Sequence, residues 1–194
     1  MEPIMNIPNR LTVFRVVLIP AFMVFAAQPP GWLYGPAYVF IREHGMAIGG
    51  AVFLIAFATD FLDGYIARKY DLVTDFGKFM DPIADKLLVA AALVALMSRS
   101  AAGPWVTLTI LAREFIVTGM RLLAAGKGIV LAAGGLGKAK TFTQAAALAL
   151  LLFGNLGAGF LRDINAGGIL LYAAAVLTIV SGADYIIKNR SLFL

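Results

Sequence analysis

Six long apolar runs dominate this chain and limit the folds that are open to it. They lie near residues 10–28, 46–67, 79–98, 104–125, 142–161 and 167–187, each bounded by glycine, proline or charge. A helix needs roughly 20 apolar residues to cross the hydrocarbon core of a bilayer. Of the 194 residues, 61% are hydrophobic and 14% charged, whereas soluble domains carry about 25% charged residues. We therefore predict an all-α integral membrane protein, a bundle of six transmembrane helices that forms one domain over residues 1–194.

The first apolar run could be mistaken for a signal peptide. Arg15 and Pro20 interrupt it, and no convincing cleavage site precedes Gln28, so we expect it to be a span.

The lysines and arginines between the runs predict the orientation of the bundle, because such residues near span ends stay on the cytoplasmic side. The opposite loops carry only Arg42, Arg99 and Arg162, two of them beside an acid. Both termini are thus expected in the cytoplasm. The cations assigned to the cytoplasmic side are Arg10, Arg68, Lys69, Lys78, Lys127, Lys138, Lys140, Lys188 and Arg190.

Composition excludes several kinds of chemistry. The chain has no cysteine, which removes disulfides, thiol nucleophiles and thiolate metal sites. Its single histidine, His44, is expected in a loop on the opposite side from the acids described next. The net charge of +5 suits anionic lipid headgroups as well as an anionic substrate, and it gives no reason to invoke nucleic acid.

Four aspartates stand out in this apolar background. Asp60 and Asp63 close the second run, and Asp81 and Asp85 open the third. Ionised carboxylates are costly at bilayer depth, so something cationic is expected among them. On helices, spacings of three and four place them on two stripes, and the polar residues 69–76 can turn the chain so that the stripes face each other. The stripes are Asp60, Asp63, Gly64 and Ala67, and Gly77, Asp81 and Asp85.

Convergent carboxylates suit hard divalent cations such as Mg²⁺ or Mn²⁺, and one or two ions would nearly neutralise the site. The small residues on the stripes leave space for a bulky ligand, and Arg68 can address a phosphate. Metals, a basic residue and a carboxylate that takes a proton from an attacking hydroxyl are the parts of phosphoryl-type transfer.

The residues from Asp60 to Asp85 read D-x2-D-G-x2-A-R-x8-G-x3-D-x3-D, and this pattern resembles the CDP-alcohol phosphotransferases. The flanking segments resemble the bacterial branch of that family that forms phosphatidylglycerophosphate. These segments are Asn6-Ile7-Pro8-Asn9 with Leu11-Thr12 and Arg15, Ala112-Arg113-Glu114, and Gly137-Lys138-Ala139-Lys140-Thr141 with Gln144.

The resemblance implies a six-helix, usually dimeric transferase of the bacterial cytoplasmic (inner) membrane, with its active site facing the cytoplasm. It would attack CDP-diacylglycerol with the primary hydroxyl of sn-glycerol 3-phosphate, release CMP and form phosphatidylglycerophosphate. That reaction is the committed step in phosphatidylglycerol biosynthesis. Two Mg²⁺ or Mn²⁺ ions are implied as cofactors.

The resemblance also implies roles for individual residues. Asp85 would be the catalytic base and, with Asp60, Asp63 and Asp81, a metal ligand. The CDP site would comprise Asn9, Asp60, Asp63, Gly64, Ala67, Arg68 and Gly77. The glycerol-phosphate site would comprise Arg113, Arg121, Lys138 and Lys140.

Alternatives remain open from the sequence. Related enzymes accept inositol phosphate, inositol, serine or phosphatidylglycerol, and intramembrane acids also occur in cation transporters and, less often, in structural membrane proteins. The basic residues could hold topology, and Arg113 could form a structural pair with Glu114.

Other residues are predicted to lie outside the site. Asp71 and Asp75 are expected to be solvated acids of the turn, and Lys86 is expected to point about 100° away from Asp85. Asp184 has no evident partner. The spacing Gly45-x3-Gly49 permits close helix approach but identifies no dimer face.

Overall fold

A computed structural model describes the backbone of residues 7–70, 74–129, 134–154 and 159–190. It also describes their side chains, except those of Ile7, Pro8, Phe61, Asp63, Ala67, Arg68, Asp75 and Lys78.

These ranges are helical and contain no strand, which confirms the all-α prediction. Six helices are long, and one, α6, has only five residues. The helices are α1 (Ile7–Ala26), α2 (Pro36–Lys69), α3 (Asp75–Ser98), α4 (Pro104–Gly126), α5 (Gly135–Leu152), α6 (Gly159–Asp163) and α7 (Ala166–Lys188).

Two helix boundaries differ from the apolar runs. Helix α2 begins ten residues before the predicted run, because Pro36 occupies the favoured first turn and the polar residues 42–44 continue the helix at its exposed end. Helix α5 ends at Leu152, before the predicted end near 161, and Gly154 follows with φ +60°. That left-handed backbone stops a helix and favours glycine.

Three helices are long and apolar enough by themselves to cross a membrane, within the ranges described. They are Asn9–Ala26, Pro36–Ile66 and Ala166–Lys188, with mean hydropathies of 1.6, 1.8 and 1.9. Helices α3, α4 and α5 carry the charges of the candidate site residues, and these charges lower their hydropathy.

The chain divides into two compact units, Met1–Arg99 and Ser100–Leu194. In the first unit, α1 packs on α2 and α3, and Phe22, Phe53 and Leu93 are buried there. In the second unit, α7 packs on α4, α5 and α6, around buried Leu148 and Leu171. The expectation of one domain over the whole chain stays a prediction.

The close packing of α1 on α2 depends on two glycines. A Cβ added at Gly49 would lie 2.6 Å from the Cβ of Ala26, and one at Gly45 would meet the carbonyl oxygen of Phe25. The Gly-x3-Gly spacing therefore serves an intramolecular helix contact in the first unit.

The side chain of Arg99 joins the ends of three helices. Its Nε donates to the carbonyl of Ala26 (2.8 Å) and its Nη2 to that of Ala27 (3.0 Å). Longer bonds reach carbonyls at Phe25 and at Ile41 in α2, each at 3.3 Å. Because the last carbonyls of a helix lack intrahelical partners, Arg99 caps α1 and ties it to α2 and α3.

We predict that Gly49→Ala lowers the thermal stability of the purified protein in detergent. The added methyl group overlaps Ala26, and overpacking of this kind costs about 1–3 kcal/mol. Gly119→Ala is the matched control, since nothing lies within 4 Å of a Cβ at that helical position, and it should unfold at the wild-type temperature or slightly above. Equal unfolding temperatures for the two variants would contradict the proposed packing.

Candidate functional site

Helix α1 presents a polar face made of Asn9, Thr12 and Arg15. Their spacing of three residues places them on one side of the helix, and at most 1% of each residue is exposed. Buried polar side chains need hydrogen-bond partners. In the first unit those partners come from α2, α3 and the residue that precedes α3.

The partner of Arg15 is an aspartate of α2. Arg15 Nη1 lies 2.7 Å from Asp60 Oδ1, and the Asp60 side chain remains 41% exposed. Asp60 also interacts electrostatically with Asp81, Asp85 and Lys86 of α3. The structure therefore brings three of the four predicted acids into one region, with the guanidinium of Arg15 beside them.

Thr12 connects the same face of α1 to α3. Its hydroxyl donates to Asp81 Oδ1 at 2.7 Å. A hydrogen bond to a carboxylate is stronger than one between neutral groups and fixes its orientation. Among the described side chains, Thr12 therefore contacts an acid of α3 and Arg15 an acid of α2.

The start of α3 is attached to α1 as well. Thr74 caps the helix by accepting from the amide of Gly77 at 3.1 Å, and its hydroxyl donates to Asn9 Oδ1 at 2.9 Å. A Cβ at Gly77 would lie 3.1 Å from Asn9 Oδ1. Asn9 therefore packs closely against Gly77, and the role of Gly77 in a ligand site stays a prediction.

Lys86 lies closer to the site than predicted. Its Nζ is 2.6 Å from Asp85 Oδ2, although we expected the two side chains to diverge. Adjacent residues do point about 100° apart on a helix, but the long lysine side chain bends back to its neighbour. The predicted base is therefore ion-paired.

Several predicted site residues lie partly or wholly outside what the structure describes. The backbone of Asp63, Ala67 and Arg68 belongs to α2, as does Gly64, but the side chains of the first three are not described. Asp71 lies outside the described residues. Asp75, expected in the turn, is the first residue of α3.

Within the described part of the chain, no three His, Cys, Asp or Glu residues are close enough to hold a metal ion. The side chain of Asp63 is not among those compared. The predicted metal site therefore stays a prediction.

The second unit contains a buried ionic cluster of Arg113, Glu114 and Lys140. Glu114 Oε1 contacts Lys140 Nζ and lies 3.7 Å from Arg113 Nη1, and Glu114 and Lys140 are 6% and 3% exposed. Arg113 Nη2 donates to Ser181 Oγ at 3.3 Å. Glu114 therefore pairs with Lys140, which lies 26 positions further along the chain, and also with its sequence neighbour Arg113.

The other two cations assigned to the acceptor are more accessible. Arg121 Nε donates to Tyr185 Oη at 3.2 Å, and its guanidinium lies 5.4 Å from the centre of that ring. Lys138 is exposed near the start of α5. Asp184, which had no evident partner in the sequence, is ion-paired with Lys188 one helical turn away at 2.9 Å.

Sequence reasoning did not assign roles to Thr12 or Thr74, although both leave a signal, and it considered Glu114 only as a structural partner of Arg113. Thr12 lies midway between Asn9 and Arg15 at helical spacing. Thr74 is a favoured N-cap residue directly before a helix. The link between Glu114 and Lys140 depends on tertiary packing, and no local pattern indicates it.

Comparison with known proteins identifies the family of this chain. The CDP-alcohol phosphatidyltransferase family matches residues 5–180. The CDP-diacylglycerol–glycerol-3-phosphate 3-phosphatidyltransferase of Bacillus subtilis is 43% identical over 188 residues, 95% of each chain. The enzyme of the same name from Rickettsia felis is 39% identical over 93% of each chain. A probable phosphatidylglycerophosphate synthase of Mycobacterium tuberculosis is 36% identical over 95% of this chain and 82% of its own length. The chain therefore belongs to the CDP-alcohol phosphatidyltransferase family.

Proposed function

We propose that this chain transfers the phosphatidyl group of CDP-diacylglycerol to sn-glycerol 3-phosphate, giving phosphatidylglycerophosphate and CMP. Relatives named for this reaction or its product match nearly the whole chain at 36–43% identity. The observation that carries the proposal is the pair of contacts from Arg15 to Asp60 and from Thr12 to Asp81. They hold two acids of the family motif beside each other at one end of the first unit.

The acids of the motif fit a divalent cation by their chemistry, since carboxylate oxygens are the ligands that Mg²⁺ and Mn²⁺ prefer. Asp60, Asp63, Asp81 and Asp85 would hold two such ions. When bound, the ions would neutralise the charge of the diphosphate and stabilise CMP as the leaving group. Arg15 would orient Asp60, and Thr12 would orient Asp81, without binding the ions themselves. The outer partners of metal ligands act in this way.

The transfer step needs a base and a correctly placed acceptor. Asp85 accepts the proton of the primary hydroxyl of glycerol 3-phosphate. The hydroxyl oxygen forms a bond to the phosphorus that carries diacylglycerol, and the bond from that phosphorus to the bridging oxygen breaks. CMP leaves with the electron pair. Gly64, Ala67, Arg68 and Gly77 would line the CDP site, with Asn9 supporting Gly77 from α1.

The phosphate of the acceptor requires cations of its own. Arg113, Arg121, Lys138 and Lys140 are proposed for this role, and arginine is well suited to phosphate because of its planar fork of donors. Glu114 keeps Lys140 and Arg113 together and cancels one of their charges. Exposed Lys138 has no such restraint.

We further propose that the six long helices cross the bacterial cytoplasmic (inner) membrane, with both termini and the acids on the cytoplasmic side. The distribution of lysine and arginine supports this orientation. We also propose that the protein acts as a homodimer and as a single functional domain, by analogy with the family.

The test of the function is CMP release from CDP-diacylglycerol by the purified protein with Mg²⁺. Glycerol 3-phosphate, inositol phosphate, serine and phosphatidylglycerol are compared as acceptors, with a chelator as control. We expect chelator-sensitive release with glycerol 3-phosphate alone. Release with a different acceptor would keep the chemistry and refute the proposed substrate, and no release with any acceptor would refute the transfer itself.

Asp85→Asn should reduce the turnover number by about 10²–10⁴-fold, the usual contribution of a general base. Amide nitrogen and oxygen cannot take up the proton, while the size of the side chain is kept. Asp71→Asn is the matched control, since this acid stands outside the motif, and it should remain near wild type. Wild-type turnover in Asp85→Asn would remove the base assignment.

Thr12→Val should weaken the apparent affinity for Mn²⁺ by about 10–100-fold, as expected when an outer partner of a metal ligand is lost. Valine keeps the shape of threonine but cannot donate to Asp81. Thr12→Ser restores the hydroxyl and should recover the Mn²⁺ dependence of CMP release. If both variants show the same dependence as wild type, Thr12 does not position Asp81 for metal binding.

A further inference from the structure

A cavity of about 380 Å³ opens in the first unit, away from the acids. It is lined by Gln28, Pro29, Tyr38, Arg42, Met46 and Arg99.

This cavity lies at the other end of α1 from the acids. Thr12 and Arg15 contact the acids near the start of α1. Arg99 binds the final carbonyl groups of the same helix, at Ala26 and beyond. At a rise of about 1.5 Å per residue, Arg15 and Ala26 are roughly 16 Å apart along the helix. The cavity is therefore separate from the proposed catalytic site.

Two arginines line the cavity, and none of its lining residues is an acid. Neither Arg42 nor Arg99 forms an ion pair with an acid in the described part of the chain. The exposed neighbour of Arg42, Glu43, does not line the cavity. Two positive charges facing one concave space favour an anionic ligand.

The two arginines are not equivalent. The side chain of Arg99 is held by backbone carbonyls from Phe25 to Ala27 and at Ile41, so it supplies a fixed charge and forms part of the wall. Arg42 is exposed, and its side chain makes no hydrogen bond to a described group. Its donors are therefore available to a ligand.

The loop beside the cavity indicates its depth in the membrane. Trp32 and Tyr34 lie between α1 and α2 and are 76% and 79% exposed. Tryptophan and tyrosine are enriched at the level of lipid headgroups. The cavity wall continues from Gln28 and Pro29 on one side of this loop to Tyr38 on the other. Lipid phosphates are thus available at the mouth of the cavity.

We propose that this cavity binds a phosphate group, supplied by an anionic lipid on the membrane face opposite the acids. Arg42 donates to the phosphate oxygens through its planar fork, and Arg99 contributes the fixed positive charge. The hydroxyl of Tyr38 and the amide of Gln28 complete a set of neutral donors. Free inorganic phosphate offers the same oxygens, so the experiment separates the two sources.

The test compares wild type with Arg42→Gln and Arg162→Gln. Arg162 is also exposed and is also predicted on the face opposite the acids, so its replacement removes the same charge without touching the cavity. Each protein is exposed in detergent to equal amounts of phosphatidylglycerol and phosphatidylcholine, and retained lipid is counted by native mass spectrometry. Any lipid held at the catalytic site contributes equally to the three proteins.

We expect Arg42→Gln to lower the preference for phosphatidylglycerol by about fivefold, the contribution of one arginine near an anionic surface. Arg162→Gln should keep the wild-type preference, and CMP release should be unchanged in both variants. A second measurement adds inorganic phosphate without lipid and records the unfolding temperature of each protein.

The outcomes distinguish a lipid phosphate from free inorganic phosphate as the ligand, and they can also reject the site. Loss of lipid preference in Arg42→Gln alone, with no effect of inorganic phosphate, assigns the site to a lipid. A phosphate-dependent rise in unfolding temperature that Arg42→Gln abolishes assigns it to the free anion. Equal lipid preference in all three proteins, together with equal responses to inorganic phosphate, would overturn the proposal.

Discussion

The burial of a guanidinium group in an apolar helix bundle is the constraint on which the first unit depends. Arg15 is completely inaccessible to solvent, and an uncompensated buried charge is far more costly than any single apolar contact is favourable. Asp60 must therefore lie against α1. The position of α2 follows from that pairing, and the Thr12 to Asp81 bond extends it to α3.

Helix α1 makes different kinds of contact at its two ends. At one end its side chains bind acids, while at the other its terminal carbonyls bind Arg99. At the Arg99 end, glycine in α2 also lets the two helices approach closely at Ala26. Both ends of α1 are therefore held to α3 by direct contacts.

The sequence was sufficient to predict the six long helices and to assign Asp60 to α2 and Asp81 and Asp85 to α3, because apolar run length and spacing are local properties. It was not sufficient where partners are distant in the chain. The fold brings Glu114 to Lys140 and Asn9 against Gly77, and no local pattern in the sequence indicates either contact. The ion pairs of Asp85 with Lys86 and of Asp184 with Lys188 are of another kind, because in each a flexible lysine reaches an acid nearby in the chain.

The pairing of Arg15 with Asp60 is tested most directly by a double-mutant cycle on stability. Arg15→Met, Asp60→Asn and the double variant are unfolded in mixed micelles of dodecyl maltoside and sodium dodecyl sulfate, and their free energies of unfolding are compared with wild type. Residues in direct contact couple by about 0.5–3 kcal/mol, so the double variant should be less destabilised than the sum of the single variants. Additivity within about 0.5 kcal/mol, the behaviour of independent sites, would contradict the claim that this ion pair holds α2 against α1.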